Sequence, residues 1–128
     1  MPAPILDGRF GNMANDVGFT IGPESSNAIT VNIQLKVGVS DVSERCCVIV
    51  YQSSDANGDT PVAAQTSLAL GTDGSLLGTL TAATSIVALS EADGDIDIVI
   101  TDTGVVNRYL TVVLANGTKV TSSVIAFT

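Results

Sequence analysis

The sequence predicts an all-β sandwich, and three observations carry that prediction. The 128-residue chain is 45% hydrophobic but only 4% aromatic and has no Trp, so its core is built from Val, Ile, Leu and Ala. Branched aliphatics together with Thr and Gly favour pleated strands over helices. Apolar and polar residues alternate in short runs, with Gly, Asn, Asp and Pro between them, while no long stretch of helix formers keeps helical spacing. The length suits one domain, and a mean hydropathy of +0.44 allows a substantial core.

The first 26 residues, "MPAPILDGRFGNMANDVGFTIGPESS", differ from the rest. Two prolines fall within the first four residues, a Gly-containing stretch follows, and "GPESS" reads as a closing turn. Only "VGFTI" (17–21) suits a strand, so residues 1–26 are expected to form an extended N-terminal arm and residues 27–128 the sandwich. From Asn27, Ile29, Val31, Ile33, Leu35 and Val37 fall on one face, with Thr30, Asn32, Gln34 and Lys36 on the other, as in a half-buried strand. "RCCVIVYQ" (45–52) is apolar on both faces, which predicts a central strand whose outer side is covered by the arm or by a partner.

"SSDANGDTP" (53–61) is a turn, with Asn57-Gly58 suited to positive φ, and residues 66–95 hold two or three short strands around Thr72-Asp73-Gly74. Ile96, Ile98 and Ile100 then share one face, with Asp95, Asp97 and Val99 opposite. Leu110, Val112 and Leu114 alternate with Tyr109, Thr111 and Val113, and Asn116-Gly117 turns the chain into a final strand, "TKVTSSVIAFT". Seven to eight strands at this spacing make a sandwich. Burying three or four branched side chains per strand, at roughly 1.5–3 kcal/mol each before entropy is subtracted, stabilises it without a disulfide or a metal.

Charge and residue inventory exclude several functions. Thirteen acids against five bases give a net charge of −8, and Arg9, Lys36, Arg45, Arg108 and Lys119 stand singly. Nucleic acid and anionic membrane, which need clustered cations, are therefore not expected partners. No run reaches the ~18 apolar residues that span a bilayer, and "MPAPILDGRFGNMAND" lacks the basic and apolar regions of a signal peptide. Cys46 and Cys47 are adjacent, so they point to opposite sides of a strand and do not staple two sheets. Together these features predict a protein made in a reducing cytoplasm.

An enzyme is not expected. The chain has no His to activate a Ser or Cys and no G-x-S-x-G elbow, and "GTDGSLLG" (71–78) lacks the Lys and the following helix of a phosphate cradle. Asp95 and Asp97, two apart on one strand, stand roughly 7 Å from one another, a spacing found in inverting glycosidases. A wet strand face beside a turn explains them more simply. "DANGD" (Asp55, Asn57, Asp59) and "EADGDID" (Glu91, Asp93, Asp95, Asp97) are oxygen-rich loops of the kind Ca²⁺ uses, but position twelve after Asp55 is Thr66, not a bidentate Glu. Turn chemistry accounts for both loops, and no cofactor or metal is predicted.

The stretch "LGTDGSLLGTL…ADGDIDIVITDTGVVNRYLTVVLANGTKVTSSVIAF" resembles the second half of bacterial and phage immunoglobulin-like domains. "SNAITVNIQLK", "IVYQSSDANGD" and "EADGDIDIVIT" are similar to small tailed-phage virion proteins of the capsid-decoration (cement) type. The resemblance covers residues 27–128 and implies an immunoglobulin-like β-sandwich of seven to eight strands. The disulfide and core Trp of antibody domains are missing, and Tyr109, which resembles a tyrosine-corner residue, lies seven positions after Asp102. The resemblance further implies a structural protein on the outside of a phage head, with the major capsid protein as partner and a homo-oligomer as a second association. Ile5, Leu6, Phe10 and Phe19 are the expected apolar anchors of the arm on that partner. Two alternatives remain at this stage: another virion module (head fibre, tail or neck) and a calcium-binding adhesion domain.

Overall fold

The computed structural model describes residues 13–128. In chain order the strands are β1 (Asp16–Ile21), β2 (Ala28–Val37), β3 (Ser40–Asp41), β4 (Cys47–Ser53), β5 (Ser67–Leu70), β6 (Ser75–Thr81), β7 (Ser85–Leu89), β8 (Asp95–Thr101), β9 (Asn107–Val113), β10 (Lys119–Thr121) and β11 (Ile125–Ala126). No helix forms among the described residues, so the fold is all-β. The first sheet runs β1-β2-β8-β5, with β3 beside β2. The second runs β10-β9-β4-β7-β6, with β11 also on β9. Every pairing is antiparallel.

Alternation in the sequence becomes burial in the structure. Val31, Ile33 and Leu35 of β2 and Ile96, Ile98 and Ile100 of β8 are fully buried and face Val50, Ile86, Ala88, Leu110 and Val112 across the sandwich. Each such aliphatic removed from water contributes ~1.5–3 kcal/mol before entropy. Register fixes these faces, because a slip of one residue would turn every Ile of β8 outward.

Two expectations about the chain's ends need correction. Residues 16–21 form β1, which pairs along its whole length with β2, from Asp16 opposite Lys36 to Ile21 opposite Val31. Ala14 and Val17 are buried. The boundary expected between residues 26 and 27 falls inside a two-residue hairpin turn: Ser26 and Asn27 both have positive φ, and Ser25 and Ala28 exchange backbone hydrogen bonds of 2.8 and 2.9 Å. The sandwich therefore begins well before residue 27, and of the expected arm only residues 1–12 lie outside the described residues. The short, Gly-containing "VGFTI" belongs to the sheet because its alternate residues, Val17, Phe19 and Ile21, find an apolar surface already built by β2.

The expected final strand is split. Lys119–Thr121 pair with Val113–Thr111, but Ile125 pairs with Arg108, so three residues of the returning strand face two of β9. This is a bulge. Ser122 bridges it, its Oγ accepting from Leu110 N at 3.0 Å and its own amide donating to Leu110 O at 2.8 Å.

Candidate functional site

The two outer faces of the sandwich differ in kind. On the first sheet the outward residues are Thr30, Asn32, Gln34 and Lys36 of β2 with Asp95, Asp97 and Val99 of β8, a mostly polar surface. On the second sheet, cross-strand rows place Leu89 beside Cys47, and then Val87, Ile49 and Val113 side by side. Ile49 is 37% exposed and Cys47 is exposed, while Val87, Leu89 and Val113 are half-buried. None of these five residues is charged, and the second row ends at Lys119 of β10, which lies opposite Val113.

The next row is covered by the chain itself. Tyr51, Thr111 and Thr121 lie under the 54–60 loop, where the Tyr51 hydroxyl donates to Gly58 O. Lys119 Nζ donates to Asp59 Oδ1 at 3.1 Å. Gly58, at φ 72°, sits so close that a Cβ there would come within 2.5 Å of Thr111 Oγ1. The two-sided apolar strand "RCCVIVYQ" is thus half explained: its Tyr51 end is capped by its own turn, and its Cys47–Ile49 end stays open. Tyr109 does not act as a corner residue here. It lies on β9 opposite Ser53, and Tyr51 is the tyrosine that fastens a loop.

At the open end lies a depression of about 210 Å³, lined by Met13, Ala14, Arg45, Cys46, Cys47 and Leu114 among others. Burial first, and then the neighbouring Glu44 charge, push the Cys46 thiol above its ordinary range, which disfavours the thiolate. Cys47 faces outward and is exposed. Met13, the first described residue, is one of its walls. Ile5, Leu6 and Phe10 lie outside the described residues. Phe19 is described: it packs partly buried against the domain's own core, so its ring supports the fold.

The two acidic loops are built differently from one another. In "DANGD" the Asp55 carboxylate accepts from the amides of Asn57 and Asp59 at 2.9 and 3.0 Å, which is turn chemistry. On the first sheet Asp73, Asp95 and Asp97 each offer a carboxylate oxygen within 4.8 Å of the others. Asn32 draws two of them together, its amide donating to Asp95 and, at 2.8 Å, to Asp97. Asp73 arrives from far along the chain because the 71–73 segment continues the ladder beside β8, with Gly71 N on Asp97 O at 2.7 Å and Asp97 N on Asp73 O at 3.0 Å. Asp95 and Asp97 are thereby held to Asn32 and Asp73 and do not stand apart across a cleft.

Asp73 is pushed up to about 6, first by its hydrogen bond with Asp95, then by desolvation and the charges of Asp97, Asp95 and Glu91. An acid whose pKa rises on folding holds its proton more tightly in the folded state. The stability it contributes is full below its unfolded value of about 3.9 and is lost as pH rises through about 6. Melting temperature should therefore fall between pH 4.5 and 7, and Asp73→Asn, which keeps a donor toward Asp95, should flatten that fall. Thermal melts of both proteins across the window check this; parallel curves would count against a shared proton at Asp73.

Comparison of the chain with protein-family models, curated proteins and solved structures gives no match.

Proposed function

We propose that the chain is a structural virion protein that decorates the outer surface of a tailed-phage head and works by docking rather than by chemistry. The observation that carries this reading is the apolar outer face of the second sheet at Cys47, Ile49, Val87, Leu89 and Val113, set against a polar face on the first sheet. Five adjoining apolar residues with a single charge, Lys119, at their edge suit contact with a protein surface better than capture of a small charged ligand. The strand order supports the immunoglobulin-like resemblance. β1-β2-β8-β5 follows the A-B-E-D order of such domains and β10-β9-β4 the G-F-C order, with β6 and β7 as an added hairpin. A shell that repeats one site many times multiplies weak contacts, and Ile5, Leu6 and Phe10 supply further apolar side chains to the attachment.

The test is binding to purified heads lacking the protein. Removing residues 1–12, which leaves β1 intact, and replacing Ile49 with Lys should each reduce binding at least tenfold while the domain stays folded. Bound copies should approach the number of shell subunits, which separates decoration from a low-copy fibre, tail or neck role. Unchanged binding by both variants would sink the reading. Melting that is indifferent to Ca²⁺ is expected; a Ca²⁺-dependent rise would favour the adhesion alternative instead.

A further inference from the structure

We propose that β6 is a self-association edge, on which a second copy of this chain docks about a two-fold axis through Leu76, Leu77 and Leu80. The inference rests on the docking reading in one respect only: that exposed apolar surface on the second sheet is contact surface.

Among the described residues each sheet ends in two edge strands, and three of the four expose no large apolar side chain. β5 is four residues long, β10 is three residues long and carries Lys119, and β1 carries the exposed Asp16. β6 is seven residues long, has neither charge nor proline, and exposes Leu76, Leu77 and Leu80 at 53%, 55% and 58%. What this edge offers a partner is exposed apolar side chains rather than a regular row of unpaired backbone groups. The hairpin does not need these leucines for its own burial, since β7 supplies Ile86 and Ala88 to the core.

Charge selects the occupant. The whole segment 74–90 is uncharged in a chain of net charge −8. Two copies repel over most of their surfaces and meet here without that repulsion. A foreign partner finds no charge on β6 to complement, whereas three leucines on one strand match the same three on an antiparallel copy, which is an isologous contact. Irregularities between Leu76 and Gly78 and between Thr79 and Thr81 interrupt the regular ladder of β6. The contact therefore rests on side chains, and it closes as a pair rather than growing strand by strand. The leucines expose on the order of 300 Å² per copy, less than the ~800 Å² per partner of standard stable interfaces, so the dimer is weak and reversible.

Sedimentation velocity on the full chain, with no heads present, tests this. Between ~5 and ~500 µM the chain should pass from monomer to dimer and stop there. Leu77→Asp with Leu80→Asp should weaken the dimer at least tenfold, and Leu80→Lys alone gives the same direction if the double variant folds poorly. Val39→Asp and Val105→Asp, at residues 96% and 84% exposed on loops, should leave association unchanged. The proposal is overturned if the chain stays monomeric to ~500 µM, if dimers survive the β6 variants or loosen equally with the loop variants, or if assembly continues past the dimer. It is also overturned if dimers appear only after residues 1–12 are removed, since that segment would then be the occupant. A monomeric β6 variant that still binds heads refutes nothing about decoration, and an Ile49→Lys variant that dimerises but fails on heads leaves this edge intact.

Discussion

Replacing Phe127 with Ala is expected to cost about 3–5 kcal/mol of folding stability, read as a lower denaturant midpoint at unchanged slope. Phe127 is 1% exposed and stands among the largest fully buried side chains in a core otherwise made of aliphatics. Its amide donates to Val106 O at 2.8 Å, fixing the chain just beyond β11. Ile125, fully buried two residues earlier, holds the same end. Aliphatic neighbours on paired strands are constrained by register and cannot slide into the space a ring leaves, so both the lost burial and the cavity count. A loss under about 1 kcal/mol would mean that the site collapses freely, contrary to the packing described.

Arg108→Leu is expected to have an effect of similar size, about 3–5 kcal/mol, for an electrostatic reason. The Asp102 side chain is fully buried and the Arg108 side chain is 16% exposed, with Nε 3.4 Å from Oδ2. Neither of those two atoms makes a hydrogen bond, so the contact is charge against charge without a directed N–H···O bond. Asp102 Oδ1 accepts from Gly104 N at 3.2 Å and holds the β8–β9 turn. Removing the guanidinium leaves a carboxylate in an apolar setting with one weak partner. The loss should shrink when Asp102→Asn accompanies Arg108→Leu, because no charge is then stranded. A double-mutant cycle by denaturant unfolding measures that coupling, and strict additivity would show the pair to be idle.

Much of this fold is legible in the sequence where one face is wet and one is dry. β2 and β8 alternate over their full lengths because their outer faces meet solvent, and the Ile and Val positions read there are the buried ones. Asn57-Gly58 and Asn116-Gly117 mark turns in which Gly58 and Gly117 take positive φ. Legibility fails where long-range contacts decide. β1 is short and Gly-containing, and it is a strand only because β2 offers a partner. The carboxylate cluster joins Asp73 to Asp95 and Asp97 across a sheet ladder, and local spacing carries no trace of it. Tyr51 and Tyr109 look equivalent in the sequence, and only the 54–60 loop distinguishes them. The apolar outer side of β4 was signalled by "CCVIVY", whereas the exposure of Leu76, Leu77 and Leu80 was not, because an edge strand and a central strand share one composition.

The unlike outer faces make the molecule a small two-sided slab, wettable on one side and water-averse on the other. At an air–water boundary such a body lies with its oily side toward the gas. Thin vitrified films of the isolated protein should accordingly show one dominant view, and a trace of mild surfactant should randomise it.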